Sequence, residues 1–92
     1  MSKIILKGHI VVPDEDLEAV KAALPLHIEL TQQEAGCLIF DVTQDETQKN
    51  IFNVYEEFIG RSSFEAHQDR VRTSSWGEVT KNVERHYQIK ED

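Results

Sequence analysis

The sequence predicts a small α+β domain of the order β-α-β-β-α-β, which is a ferredoxin-like arrangement around a four-stranded antiparallel sheet. Two observations support this prediction. Residues 37–42 and 51–59 are rich in β-branched and aromatic side chains, as strands are, and a polar, turn-prone segment separates them. A segment of helical period ends just before Gly36, and another begins at Ser62 or Ser63. One further strand at each end completes the order.

The first strand is predicted over residues 3–12, where side chains alternate between two faces. One face carries Ile4, Leu6, Gly8, Ile10 and Val12, and the other carries Ile5, Lys7, His9 and Val11. Because both faces are mostly apolar, we expect this strand to lie inside a sheet that is covered on both sides.

The first helix is predicted to begin with Asp14 as its N-cap and to end near Glu34 or Ala35. Five residues recur at helical spacing and mark its buried side; they are Leu17, Val20, Leu24, Ile28 and Thr31. Pro25 removes one backbone donor and clashes with the carbonyl of Lys21. It therefore predicts a kink or a break into two segments.

In the second helix Phe64, His67 and Val71 share one face, and a serine is the expected N-cap. Residues 76–79 fit either a continuation of this helix or a separate short one. Residues 83–90 alternate again and predict the last strand.

Composition narrows the class of protein. Ninety-two residues predict a single domain over residues 1–92. The net charge of −7 argues against a nucleic-acid-binding protein, which needs a basic face. No apolar run is long enough for a membrane span, and the one cysteine has no zinc-site spacing around it. A soluble cytoplasmic protein without metal or membrane partner is expected.

Two helices cover only one face of such a sheet. The other face is expected to expose apolar side chains over an area too large for a stable monomer. We therefore expect a symmetric homodimer in which the two bare faces are covered.

The central stretch resembles the antibiotic biosynthesis monooxygenase family, whose members are dimeric α+β barrels. The resemblance is carried by the helix-to-strand joint, the two central strands, the second helix and the first loop: Glu34, Gly36, Cys37, Phe40, Asp41, Tyr55, Glu56, Phe64, Glu65, Ala66, His67 and residues 12–17. The family includes cofactor-free oxygenases of quinols and aromatic polyketides, heme-degrading enzymes and proteins that process a signalling molecule. Residues 74–77 lack a histidine where the heme-degrading members carry an iron ligand, which disfavours heme.

The resemblance implies a pocket between the sheet and the helices of each subunit. It implies His9 and His67 as catalytic candidates, because an imidazole can act as a base near neutral pH. Asn53, Tyr55 and Trp76 are the substrate-binding candidates, since aromatic walls with few polar groups suit a flat ligand. Each also has a structural alternative: His9 as a hydrogen-bonded residue at the sheet margin, and Trp76 as a core or dimer contact.

Glu56 is expected to act as a buried structural partner, and His67 to bond either Glu56 or a backbone carbonyl. The functional prediction is a cofactor-independent monooxygenase that oxidises a quinol-like or hydroxy-aromatic small molecule with dioxygen. Two alternatives stay open: a non-catalytic small-molecule-binding dimer, and an isomerase of a small carbonyl compound. Histidines that converge with Asn53 on an enclosed cavity would favour catalysis.

Overall fold

The computed structural model describes residues 2–92 and has the predicted α+β architecture. The elements are β1 (Ile4–Val11), a 3-10 turn (Asp14–Asp16), α1 (Leu17–Gln32), β2 (Cys37–Gln44), β3 (Ile51–Phe58), α2 (Arg61–Arg72), α3 (Ser75–Val79) and β4 (Glu84–Glu91). The β-α-β-β-α-β order is confirmed, with α3 as an additional short helix before the last strand.

The four strands form one antiparallel sheet in the order β2-β3-β1-β4. The β2–β3 hairpin pairs locally, and the helical connections bring β1 and β4 together beside it. β1 and β3 therefore form the centre, while β2 and β4 are the edges. In the register, His9 of β1 lies opposite Asn53 of β3 on one side and His86 of β4 on the other.

The hydrophobic core lies between the helices and one face of the sheet, which we call the covered face. Its buried apolar side chains are Ile4, Leu6, Ile10, Val12, Leu17, Val20, Phe40, Val42, Phe52, Val54, Phe58, Phe64, Trp76 and Val83. Alternation along the strands selects the strand residues of this set, because every second residue of a strand points to the same side. The edge strand β4 is exposed along its whole length.

The predicted break at Pro25 is wrong, because α1 runs as a single helix from Leu17 to Gln32 with Pro25 inside it. Both Pro25 and Lys21 are exposed. Because Pro25 has no N–H group, the carbonyl of Lys21 lacks its helical hydrogen bond. This carbonyl faces water, which can supply the missing hydrogen bond. Asp14 belongs to the 3-10 turn, and Asp16 is the N-cap of α1, without a side-chain cap bond.

The cap of α2 also differs from the prediction. Gly60, not a serine, is the N-cap, and α2 begins at Arg61. Residues 75–79 form the separate helix α3, whose N-cap Ser74 accepts a hydrogen bond from the backbone N–H of Gly77 at 3.1 Å. This cap ends the ambiguity about Trp76, which lies on α3 and is buried.

Gly36 follows the end of α1, as predicted, and its φ of 88° is a conformation that favours glycine. A Cβ there would lie 2.5 Å from the Cβ of Ser63, so the same glycine allows α2 to pack closely. Gly8 permits a second close approach: a Cβ at this position would lie 1.9 Å from the carbonyl oxygen of His86 in β4.

The opposite face, which we call the bare face, is not covered by any helix among residues 2–92, and the prediction that it is apolar is wrong. Its aliphatic side chains are Ile5, Val11, Ile39 and Ile51, whereas the polar and charged ones include Lys7, His9, Asp41, Asn53, Tyr55, Glu57, His86, Gln88 and Lys90. Neighbouring strands supply polar residues beside the apolar positions of β1. The need to shield an apolar sheet face from water therefore gives no argument for a dimer.

Among the described residues, Ile39 is the one prominent exposed apolar side chain of the bare face. The others lie on α1, on the outer strands and just after β3: Leu26, Leu30, Leu38, Ile59, Tyr87 and Ile89. Within residues 2–92, none of the helices combines the length and the apolar character that crossing a bilayer requires.

Candidate active site

The covered face holds a group of polar side chains inside the aromatic core, which we call the polar cluster. It consists of His27, Thr31, Glu34, Glu56, His67 and Arg70. Helix α1 and the turn after it supply the first three, β3 supplies Glu56, and α2 supplies His67 and Arg70. Ionisable groups rarely occupy a core unless they are paired, so the contacts of each member matter.

His67 is the centre of the cluster and is 3% exposed. Its Nδ1 lies 2.8 Å from Oε1 of Glu34, and its Nε2 lies 3.9 Å from Oε1 of Glu56. Burial lowers the pKa of His67, against the raising effect of the Glu34 carboxylate. With the Nδ1–H donated to Glu34, the neutral ring presents the lone pair of Nε2 toward Glu56.

Glu34 also holds Arg70, whose Nε donates to the second carboxylate oxygen. The Nη2 of Arg70 donates to the Thr31 hydroxyl at 3.0 Å, and that hydroxyl donates to the His27 carbonyl oxygen at 2.8 Å. This chain of bonds fixes α2 against the end of α1. It also fixes the orientation of the His67 ring through the shared carboxylate.

Glu56 is the least satisfied member. It is 7% exposed, and its Oε1 is buried without a hydrogen-bond partner among residues 2–92. Burial, followed by the negative charge of Glu34, raises the pKa of Glu56 to about 7. A carboxyl group with that pKa is present in both protonation states near neutral pH, which suits a general acid or base.

His27 is a second buried imidazole, and its Nδ1 also lacks a hydrogen-bond partner within the described chain. Its ring stacks on Trp76 with centroids 4.5 Å apart and 4° between the planes. Burial, reinforced by the charges of His67 and Arg70, lowers the pKa of His27 to about 3. His27 is therefore neutral at physiological pH and behaves as part of the aromatic wall.

Aromatic rings surround His67 on its other sides. Its ring centroid lies 5.0 Å from that of Phe58 and 5.7 Å from that of Phe40. These distances are in the range of ordinary aromatic packing, so the space around the imidazole is filled. The cluster is therefore part of a packed core, with the Glu56 carboxyl and the His67 imidazole buried inside it.

A recess opens between α2, α3 and β4, with a volume of about 310 Å³. It is lined by Gln68, Val71, Arg72, Gly77 and Arg85. This volume is at the lower end of the range for small-molecule sites. Arg85 is held at the wall of the recess by a 3.0 Å bond from its Nη2 to the Thr80 carbonyl oxygen.

Tyr87 of β4 lies between Arg85 and Glu56 in its electrostatic surroundings. The residue is 37% exposed as a whole, but burial around its hydroxyl group, followed by the charge of Glu56, raises the pKa of Tyr87 to about 12, and the charge of Arg85 opposes the shift. In the sheet, Leu6 pairs with both Glu56 and Ile89, and Gly8 is opposite Tyr87. Three larger surface recesses of the described chain lie at the β2–β3 loop, at the start of α2 and beside Tyr87 of β4. None of these, and not the recess between α2, α3 and β4, is lined by a member of the polar cluster.

The structure divides the sequence-predicted site residues between the two faces. His67, Glu56 and Trp76 lie on the covered face, whereas His9, Asn53 and Tyr55 lie on the bare face. Within a single chain, both histidines do not converge with Asn53 on one cavity, which is the arrangement that would have favoured catalysis. The sheet separates them, since residues adjacent in a strand point to opposite sides and His9 precedes the buried Ile10.

The bare-face candidates have local partners. Asn53 donates to Asp45 at 3.2 Å, the Tyr55 hydroxyl donates to Glu57, and the ring of His9 stacks on that of His86. The predicted partner of His67 also needs correction, because its hydrogen bond goes to Glu34 and Glu56 lies farther away.

Four members of the cluster were not predicted as site residues: His27, Thr31, Glu34 and Arg70. A signal for His27 existed, since it lies seven residues after Val20 and four before Thr31 on the buried side of α1. Arg70 follows His67 by three residues, which places both on one side of α2. Sequence spacing gave no signal that Glu34 lies between them.

The fold and the cluster define a small ferredoxin-like α+β protein with a buried acid–base group under its helices. The sequence profile of the family described as "Antibiotic biosynthesis monooxygenase" matches residues 4–76. The chain belongs to this family, and the resemblance stated from the sequence is confirmed.

Solved structures agree with the assignment. A protein of Nitrosomonas europaea, provisionally named an antibiotic biosynthesis monooxygenase, has a TM-score of 0.79 and 24% identity over 98% of this chain and 96% of its own. A Bacteroides thetaiotaomicron protein of unknown function, with a suggested oxidoreductase role, has a TM-score of 0.78 and 20% identity over 99% and 98%. A Deinococcus radiodurans protein with the same provisional family name has a TM-score of 0.70 and 20% identity over 97% and 89%.

At these identities the structural neighbours establish the fold alone. Among curated proteins, none is similar enough in sequence to count as a relative.

Proposed function

We propose that this protein is a cofactor-independent monooxygenase that oxidises a hydroxy-aromatic or quinol-like small molecule with dioxygen. The observation that carries the proposal is the buried Glu56 carboxyl, whose pKa is about 7 and whose unpartnered Oε1 lies 3.9 Å from Nε2 of His67. Membership of the monooxygenase family supports the reaction class. The recess beside β4 is the proposed entrance for the substrate.

In the proposed reaction the Glu56–His67 pair removes the phenolic proton of the substrate. The resulting phenolate is electron-rich enough to pass an electron to dioxygen, and the two radicals then combine at a ring carbon. One oxygen atom stays on the ring as a quinone carbonyl, and the other leaves as water with two hydrogens of the substrate. The substrate supplies all four electrons, so no external reductant is needed.

The surrounding residues suit this chemistry. Arg85 lines the recess and can hold a phenolate oxygen by charge and by hydrogen bonding. Trp76 and His27 form a stacked aromatic wall that excludes water from the proton-transfer pair. Trp76 acts in the proposed site mainly as part of this wall and less as a direct substrate contact, because His27 covers one face of its ring.

His9, Asn53 and Tyr55 are left out of the proposed site, since they face away from the Glu56–His67 pair within one chain. A homodimer remains part of the proposal. It is supported by the family resemblance and by the exposed apolar side chains on both edge strands, of which Leu38 and Ile89 are the most exposed. Sedimentation or light scattering of the purified protein would test it directly.

One alternative uses the same pair without oxygen. Two groups that exchange protons near neutral pH also suit isomerisation of a small carbonyl compound. The other alternative is a non-catalytic binding protein, which is supported by the packed state of the cluster and the bond from His67 to Glu34.

The test is oxygen uptake with a panel of hydroquinones and hydroxylated aromatics, run before and after dialysis against a chelator. We expect turnover that survives dialysis and that falls about 100-fold or more in Glu56→Gln or His67→Gln, since a positioned base commonly contributes 10²–10⁴. The exposed Asp69→Asn variant is the control and should match the wild type.

Each alternative has its own result. Substrate conversion in the absence of oxygen would replace the oxygenase by the isomerase. Binding without conversion would replace it by the non-catalytic protein. Activity lost in His9→Gln but kept in Glu56→Gln would place the site on the bare face.

A further inference from the structure

The buried imidazole of His67 carries one ring proton when it is neutral, and two carboxyl groups lie near it. Its Nδ1 is 2.8 Å from Oε1 of Glu34, within hydrogen-bond distance, whereas its Nε2 is 3.9 Å from Oε1 of Glu56, beyond that distance. A neutral imidazole donates from one nitrogen and accepts at the other. The position of the ring proton therefore decides on which side His67 can accept another proton.

The packing around His67 holds its ring in this orientation. The side chain is 3% exposed, and the ring centroids of Phe58 and Phe40 lie 5.0 Å and 5.7 Å from its own. Turning the imidazole over would require these closely packed aromatic rings to move apart. Nδ1 thus stays toward Glu34 and Nε2 stays toward Glu56, so the two nitrogens have different partners.

The Glu34 carboxylate is held from its other side by Arg70. The guanidinium donates from Nε to the second carboxylate oxygen and from Nη2 to the Thr31 hydroxyl at 3.0 Å. That buried hydroxyl donates to a backbone carbonyl oxygen, so it meets Arg70 as an acceptor. An arginine does not give up its protons in a protein. One oxygen of Glu34 therefore accepts from Arg70, and the other accepts from His67.

We propose that Glu34 is a positioning residue, with Arg70 holding its carboxylate so that the ring proton of His67 stays on Nδ1. A carboxylate behind a catalytic histidine is known to select its tautomer and to stabilise the imidazolium that forms.

This role rests on the proposed function. The O–H bond of the substrate breaks and its proton passes to the Glu56 carboxylate. Nε2 of His67 then accepts this proton, and the negative charge of Glu34 stabilises the imidazolium. A ring with its proton on Nε2 could not take this step, because the lone pair would face Glu34.

The exchange of Glu34 for glutamine gives a specific expectation. An amide offers one acceptor oxygen and one NH₂ group where the carboxylate offers two acceptor oxygens. Since Arg70 cannot release its proton, it keeps the amide oxygen, and the NH₂ group then faces Nδ1 of His67. The imidazole can accept from this donor only with a lone pair on Nδ1. Its proton is therefore expected to move to Nε2, although the shape of the side chain at position 34 is unchanged.

The test is nitrogen-15 nuclear magnetic resonance of the histidine rings, without substrate, at about pH 7.5. This pH is above the ordinary histidine pKa of about 6.5, and burial lowers the pKa of His67 further. Protonated and unprotonated ring nitrogens give separate signals, and their couplings to the ring C–H protons distinguish Nδ1 from Nε2. The signals of His67 are identified by their loss in His67→Gln. We expect the proton on Nδ1 in the wild type and on Nε2 in Glu34→Gln.

Arg70→Met is the matched control, because it breaks the same ion pair but leaves the carboxylate that accepts from His67. We expect its ring proton to stay on Nδ1, whereas a merely structural role of Glu34 predicts the same spectral change in both variants. Melting curves show whether each variant is folded, and the wild-type tautomer is read without any substitution.

Three spectra would overturn the proposal. They are a wild-type ring protonated on Nε2, a ring still protonated on Nδ1 in Glu34→Gln, and a reversal of the tautomer in Arg70→Met.

Oxygen uptake with a hydroquinone distinguishes this proposal from the proposed function. In Glu34→Gln, kcat should fall about 100-fold or more with KM little changed, because the lone pair that accepts the proton has been lost from Nε2. An unchanged kcat would overturn the positioning role and leave the oxygenase standing. Absence of turnover in the wild type would remove the oxygenase, and the nitrogen-15 spectra would still decide whether Glu34 selects the tautomer.

Discussion

The two faces of this sheet use the same strands in opposite ways. The covered face packs Phe58, Phe40 and Trp76 around carboxyl and imidazole groups, whereas the bare face displays hydrated polar side chains. Each strand contributes to both faces by alternation, so one position along the chain separates the two environments. The four histidines divide equally, with His27 and His67 on the covered face and His9 and His86 on the bare face.

Neighbouring residues of β3 show what this difference does to chemistry. Burial raises the pKa of Glu56 to about 7. Glu57, the next residue, points to the bare face, where hydrogen bonds from Tyr55 and Lys3 lower its pKa. Two glutamates thus acquire opposite acid–base properties from the side of the sheet on which they lie. We expect function where burial has shifted the pKa of an acidic or basic side chain, and in β3 this holds for the covered face alone.

The largest expected contrast concerns packing. Phe58→Ala should reduce the free energy of unfolding by about 3–5 kcal/mol, because it leaves a cavity in the core where Phe58 is fully buried. Tyr55→Ala, which removes an aromatic ring from the bare face of the same strand, should cost clearly less. Urea denaturation of both variants measures the difference. Equal losses would show that the bare face is packed as tightly as the covered one.

The second contrast is the pH dependence of Glu56. Its pKa rises from 4.5 to about 7 on folding, so the folded state binds the proton more tightly than the unfolded state. The resulting stabilisation is complete below pH 4.5 and is lost as the pH rises through about 7, by on the order of 3 kcal/mol.

Glu56→Gln cannot titrate at this position. The stability of the wild type relative to Glu56→Gln should therefore fall between pH 4.5 and pH 8, as measured by urea unfolding across that range. A difference that is constant with pH would mean that Glu56 is not desolvated.

The smallest of the three stability effects concerns the carboxylate between His67 and Arg70. Glu34→Gln keeps the shape but removes the charge, and it should cost about 1–2 kcal/mol, reduced from the value of a fully buried pair because Arg70 is 30% exposed. Asp69→Asn breaks the exposed pair with Arg72 and serves as the control. Indistinguishable melting curves for the two variants would remove the structural role of Glu34.

The fold was predictable because its signals are periodic and local. Alternation defined the four strands, Gly36 marked the end of α1, and chain order then restricted the topology. The family was recognised by residues that lie in these same elements. The break predicted at Pro25 was wrong, since the effect of this proline depends on whether the unpaired carbonyl of Lys21 faces water.

The site was predictable only in part. His67, Glu56 and Trp76 were predicted together and lie together on the covered face, whereas His9 was assigned to the same pocket although its alternation with Ile10 places it on the other side. The contact from Glu34 to His67 joins residues far apart in sequence, and no local pattern reveals it. The apolar bare face was inferred from β1 alone, whereas polar residues of β3 and β4 determine its character.

The most direct test of the account is a nuclear magnetic resonance titration that follows the four histidine rings while a hydroquinone is added without oxygen. We expect the ring signals of His67, a member of the proposed proton-transfer pair, to shift in a saturable way while those of His9 and His86 stay in place. Saturable shifts at His9 and His86 alone, or no shift at any of the four, would contradict it.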